Sequence, residues 1–191
     1  MNKFFIFLFS VAFIALHNPS FGQDAASVAK YKTSAAKLGI SGTSTMHDWT
    51  MTSKNGTCSA QIEVNGTSVK SIKSMQFNVN VSDLKSGKGG MDNNAYKALK
   101  SDKNPNISAE WISGTVTGNS FNGKIKLTIA GTTKETNLEG TVTANSNGNI
   151  TVNGTKSFNM EDYGVKPPSF AFGAMKTGKD IVLKFDLVLT K

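Results

Sequence analysis

Apolar and polar residues alternate with a period of two along most of this chain, and that spacing predicts β-strands. From Ser34 onward, Ala36, Leu38, Ile40 and Gly42 fall on one face. Trp49 and Met51 face one way and Thr50 and Thr52 the other, after which Lys54-Asn55-Gly56 supplies the Asn-Gly pair of a tight hairpin and Cys58, Ala60, Ile62 and Val64 carry the return. Between Ser74 and Leu84, Met75, Phe77, Val79 and Val81 alternate with Gln76, Asn78, Asn80 and Ser82. The spacing recurs at Ile107, Ala109 and Trp111, at Phe121 to Ile129, at Thr136 to Val142, at Ile150 to Phe158, and at Ile181 to Leu189. Turn residues at Asn65-Gly66, Asn119-Ser120, Gly131-Thr132 and Asn145 to Gly148 separate these runs.

Two stretches break the pattern. Asp92 to Lys100 reads as a short helix, capped by Asp92 or Asn93 and apolar along Ala95, Tyr96, Ala98 and Leu99. Asp162 to Gly178 reads as irregular, because Pro167-Pro168 suits neither a helix nor a central strand. Eight or nine strands joined by tight turns, without helical crossovers, imply an all-β antiparallel meander. Closing it into a barrel removes the edges that the competing two-sheet sandwich would have to protect.

Composition narrows the picture. Residues 1–22 read as a secretory signal peptide, with Lys3 as the charged start, Phe4 to Leu16 as the apolar middle and Ser20-Phe21-Gly22 as the cleavage site before Gln23. The leader holds Phe4, Phe5, Phe7, Phe9, Phe13 and Phe21, half of the chain's 12 Phe. Residues 23–33 read as a flexible lead-in, and residues 34–191 as one β-barrel domain. All 21 basic residues are Lys, and losing Lys3 lowers the formal charge of +8 by one. A chain without arginine has no guanidinium fork to read bases or clamp phosphates, which argues against nucleic acid as a partner. Cys58, the single cysteine, excludes an intramolecular disulfide and sits in phase with Ala60, Ile62 and Val64, as a small buried hydrophobe does.

The densest chemistry lies in Gly42-Thr43-Ser44-Thr45-Met46-His47-Asp48-Trp49. Ser44, His47 and Asp48 are the residue types of a hydrolytic triad, but so close together they cannot adopt a geometry that draws groups from separate segments, and no Gly-x-Ser-x-Gly elbow is present. His47 with Met46, Met51 or Cys58 would suit copper or haem iron, yet one histidine without a Cys-x-x-Cys-His motif is a weak case. No catalytic group, metal or cofactor is therefore expected. His47 is expected as a structural corner residue or a polar contact to a ligand.

These residues also resemble a known family. The Gly42 to Trp49 motif after a short strand, the helix ending in Ala98-Leu99-Lys100, Asn104-Pro105-Asn106-Ile107, Gly123 to Thr133 running into Lys134, and Met160-Glu161-Asp162-Tyr163-Gly164 to Pro167-Pro168 together look like the YceI-like family, in order along nearly the whole mature chain. The resemblance implies a lipocalin-like, up-and-down, eight-stranded antiparallel barrel with one short helix. It further implies export to the periplasm or beyond, no catalysis, and an apolar interior that holds a polyisoprenoid, isoprenoid quinone or other long-chain amphiphile. The candidate channel residues are Trp49, Met51, Met75, Phe77, Val79, Trp111, Phe121, Ile125, Leu127, Leu183 and Phe185. Large inward residues mixed with small ones (Ala36, Ala60, Ala109, Gly123, Gly140) fit either a channel or a dry, interdigitated core. The second case leaves a surface or assembly domain that binds acidic partners through its lysines. Transient contact with a membrane surface accompanies the lipid reading, and neither reading sets an oligomeric state.

Overall fold

A computed structural model describes residues 26–170 and 173–191. The signal peptide expected at 1–22 and the first residues of the lead-in lie outside that range.

The alternating runs fold as the strands β1 (Ser27–Ser44), β2 (Trp49–Ser53), β3 (Thr57–Asn65), β4 (Ser68–Asn80), β5 (Asn106–Thr117), β6 (Ser120–Ile129), β7 (Thr132–Ala144), β8 (Ile150–Asn159), β9 (Ser169–Phe170) and β10 (Met175–Thr190). All pairings are antiparallel and follow chain order from β3 to β8, then β10, and β1 pairs with β10 to close the barrel. One edge of β1 is shared: Ser27–Lys32 pairs with β3, and Leu38–Gly42 pairs with β2. Strands β2 and β3 thus form one stave, and the barrel has eight. Strand β9 adds only a short hairpin to the start of β10.

The lead-in differs from expectation, since residues from Ser27 onward are strand and Tyr31 is 2% exposed. A bulge explains it: the β1–β10 register slips between Thr33 and Ala35, so the inward face changes from odd to even positions. Beside the bulge the Thr33 hydroxyl accepts from the Cys58 amide and donates to the Cys58 carbonyl at 3.1 Å. Cys58 itself is buried, and desolvation pushes its thiol up to about 12, which keeps it protonated and inert.

The helix α1 (Gly89–Ala98) begins earlier than Asp92, and neither Asp92 nor Asn93 caps it; the cap position is Lys88, without a side-chain bond. The Asp92 carboxylate turns back instead, accepting from the Ser86 hydroxyl (2.6 Å) and amide (2.8 Å) to tie the loop before the helix to its first turn. Tyr96 fixes the other side by donating to the Leu84 carbonyl at 2.7 Å.

The connections sort by end. The corner 45–48, the segment 81–105 carrying α1, the Ala130-Gly131 turn and residues 160–170 lie at one end, the loop end. The turns 66–67, 118–119 and 145–149 lie at the other, the turn end. The turn end is packed shut: Tyr31, Ile62, Val142, Ile150 and Leu189 are at most 2% exposed. Each such side chain contributes roughly 1.5–3 kcal/mol when withdrawn from water.

Candidate ligand channel

Inward residues of seven staves surround a cavity of about 90 Å³ whose accessible wall is entirely apolar. Its wall includes Met75, Phe77, Val79, Trp111, Phe121, Ile125, Leu127, Leu183 and Phe185, nine of the residues expected there from the sequence. Trp49 and Met51 are not on it. Met51 is buried in β2, and Trp49 is half-buried over Gly42 with its indole N–H donating to the Thr43 carbonyl at 3.1 Å. Leu38, Ile40, Ile72, Leu84, Ile107, Ala109, Leu138, Val152, Lys156 and Leu187 complete the wall.

Glycines decide how the large rings lie. A Cβ on Gly123 or Gly114 would run into the Trp111 indole, one on Gly140 into the Phe121 ring, one on Gly154 into Phe185, and one on Gly56 into Phe77. Each ring therefore lies against bare glycine backbone, on the neighbouring strand for Phe121 and Phe185, on both its own and the next strand for Trp111, and at the β2–β3 connection for Phe77, and projects less into the lumen. Trp111 and Phe121 also meet edge to face, with centroids 5.8 Å apart and planes at 69°, a contact worth about 0.5–1.5 kcal/mol beyond the area it buries.

The staves are not laddered along their full length. The β4–β5 ladder covers only Gln76–Asn80 with Asn106–Glu110, leaving a seam toward the turn end. The β7–β8 ladder covers only Gly140–Ala144 with Ile150–Gly154, so residues 132–139 and 155–159 part toward the loop end. Continuing each register would set Met75 opposite Trp111 and Leu138 opposite Lys156, and all four side chains line the cavity. A short 3-10 turn, Met160–Tyr163, lies beside the second seam. It is held by an Asn159 side-chain cap at 3.0 Å, by an edge-to-face contact of Tyr163 with Phe158, and by an exposed Lys134–Asp162 pair at 3.8 Å.

Lys156 was legible as a wall residue, because it is in phase with Ile150, Val152, Gly154 and Phe158. Its charge makes it read as surface.

His47 is exposed at the β1–β2 corner and is not part of the cavity wall. The Ser44 hydroxyl donates to the His47 carbonyl at 2.7 Å and accepts from the backbone amides of Met46 and His47, while His47 Nδ1 donates to the Asp48 carbonyl at 2.8 Å. The hydroxyl is thus committed to backbone, and the Asp48 carboxylate does not orient the imidazole, so the trio is a corner and lacks triad geometry. Among the described residues no group of three or more His, Cys, Asp and Glu converges on a point where a metal would sit, and no helix is long and apolar enough to cross a membrane.

A closed antiparallel barrel with an apolar lumen and an exposed polar corner belongs to the lipocalin-like class of β-barrels. The sequence profile of the YceI-like domain matches residues 30–189, and the chain belongs to that family. No curated protein sequence matches it. Among solved structures it is similar to Burkholderia cenocepacia BcnA, at 16% identity over 81% of this chain and 96% of that one, with a TM-score of 0.69. It is also similar to a polyisoprenoid binding domain from Saccharophagus degradans implicated in plant cell wall breakdown, at 12% identity over 83% and 97%, with a TM-score of 0.60. A Campylobacter jejuni YCEI protein matches at 16% identity over 70% and 81%, with a TM-score of 0.55.

Proposed function

We propose that this protein is an exported, non-catalytic binding protein. In this reading it holds a long-chain amphiphile, such as a polyisoprenoid or isoprenoid quinone, inside the barrel for carriage, storage or sensing in the periplasm or beyond. The observation that carries the reading is the continuous apolar wall around the lumen. Family membership supports it, as does the likeness to a domain described as polyisoprenoid binding. The signal-peptide pattern at 1–22 supports export.

Burial drives such binding. At about 0.8 kcal/mol per methylene removed from water, a few isoprene units exceed the cost of association. The cavity's 90 Å³ is below the roughly 300–1,000 Å³ of common ligand pockets, so seating a long chain requires the wall to give. The seam between residues 132–139 and 155–159 is where it gives most easily, because no ladder has to break there. Loading through it involves transient contact with a membrane surface at the loop end, where Met46 stands 68% exposed.

Solvent extraction of the protein purified from its own host, followed by mass spectrometry, tests the reading. A stoichiometric long-chain lipid is the expected result. Lipid-free protein would overturn it and leave a filled-core surface domain whose lysines meet acidic partners.

A further inference from the structure

Among the described residues, Lys156 is the one charged residue on the cavity wall. The accessible wall is apolar throughout, so the residue contributes its methylene stem there and not its ammonium, and the side chain is half-exposed on the strand that borders the β7–β8 seam. Among the described residues no carboxylate lies within ion-pair distance of that ammonium. The nearby turn's Asp162 is taken by Lys134, and the remaining pairs are Lys73–Glu63 and Lys124–Glu135. A cation with three hydrogen-bond donors is thus carried by a wall residue of the apolar channel, on a stretch of β8 that has no ladder to β7 toward the loop end.

We infer that this seam is a head-group site and that the channel prefers amphiphiles with an anionic head, a carboxylate or a phosphate monoester. Lys156 holds the head at the lip while the chain runs inward past Leu138, Val152 and Leu183. The inference rests on the channel reading above and narrows it, since a neutral alcohol or quinone makes no use of the charge. Water is partly excluded at the lip, which makes a charge-assisted hydrogen bond stronger there than on open surface.

The test compares three ligands with one tail: laurate, dodecyl phosphate and dodecanol, each displacing the neutral probe N-phenyl-1-naphthylamine from the full mature chain. Laurate and dodecyl phosphate are expected to bind about tenfold more tightly than dodecanol. Lys156→Met keeps an apolar stem and removes the charge; it is expected to lose the preference, binding laurate and dodecyl phosphate no more tightly than dodecanol, with displacement of the probe by dodecanol showing that the channel persists. Should that variant fail to fold, the unaltered protein still decides, because raising salt from about 0.05 to about 0.5 M is expected to erode the preference for the anions alone. Equal binding of all three by the unaltered protein, or an undiminished preference in Lys156→Met, overturns the head-group site and leaves the channel reading standing. If none of the three binds, both readings fall.

Discussion

The β4–β5 and β7–β8 ladders both stop short, and the two seams are finished differently. Between β4 and β5 the side chains that would face each other are Met75 and Trp111, and the indole, 9% exposed, lies on the bare backbone of Gly114 and Gly123. Between β7 and β8 they are Leu138 and Lys156, both half-buried, with only a four-residue turn beside them. Loss of backbone pairing is common to both. The contrast teaches that a missing ladder does not by itself make a mouth: an aromatic on a glycine bed caulks the first seam, whereas an aliphatic facing an amphipathic lysine leaves the second able to part.

The strongest challenge to that contrast is a charge placed in the wall. Phe121→Asp sets a carboxylate into an apolar interior and is expected to abolish lipid retention, with unfolding or a raised carboxylate pKa as the accompaniment; Phe77→Asp acts in the same direction. Both variants co-purifying with lipid would show that the inward face is misassigned. Next is the caulk itself. Trp111→Ala is expected to cost about 3–5 kcal/mol in urea unfolding. Gly123→Ala should cost about 1–3 kcal/mol by forcing the indole off its bed, and the two changes should be strongly non-additive, since the alanine has nothing to strike once the indole is gone.

Hydrogen exchange sharpens the comparison with less perturbation. The seam-facing amides of 132–139 and 155–159 are expected to exchange about tenfold or more faster than those of the Gly140–Ala144 ladder. Equal protection would mean that the second seam is as closed as the rest of the wall. The smallest effect lies in the loop before α1. Bonds from the Ser86 hydroxyl, and then from its amide, hold the Asp92 carboxyl below its ordinary value of 3.8. A depressed native pKa means that this stabilisation is complete above about pH 3.8 and is lost as pH falls through the native value. Thermal melts in that acid window should therefore show a pH-dependent loss that Asp92→Asn removes.

Much of this was written in the alternation. Strands β2 to β8, the body of β10 from Ile181, the barrel class and most of the wall follow from which residues share a face, whereas β9 and the first residues of β10 fall in the stretch expected to be irregular. What escaped did so where the phase slips. The bulge after Thr33 hid the first turns of β1, and two register shifts against β3 hid the start of β4, so alternation was readable there only from Ser74. Trp49 and Met51 have the right phase, but β2 is a short strand occupying only the loop-end half of its stave, which leaves them off the wall. Lys156 has the right phase too, and only the habit of assigning lysine to the surface concealed it. The helix start was misplaced because the Asp92 carboxylate serves the preceding loop.

The glycine beds set the calibre of the bore. Because Trp111, Phe121, Phe185 and Phe77 each recline on a residue without a side chain, the clearance down the axis is governed by positions that a bound chain would not touch. A single methyl at Gly123, where the nearest atoms are all of the Trp111 indole, would act as a shim, lifting one ring and narrowing the passage at one depth without changing the identity of any lining residue. Substitution at such a glycine would regauge the passage for thicker or thinner cargo without redesigning its surface.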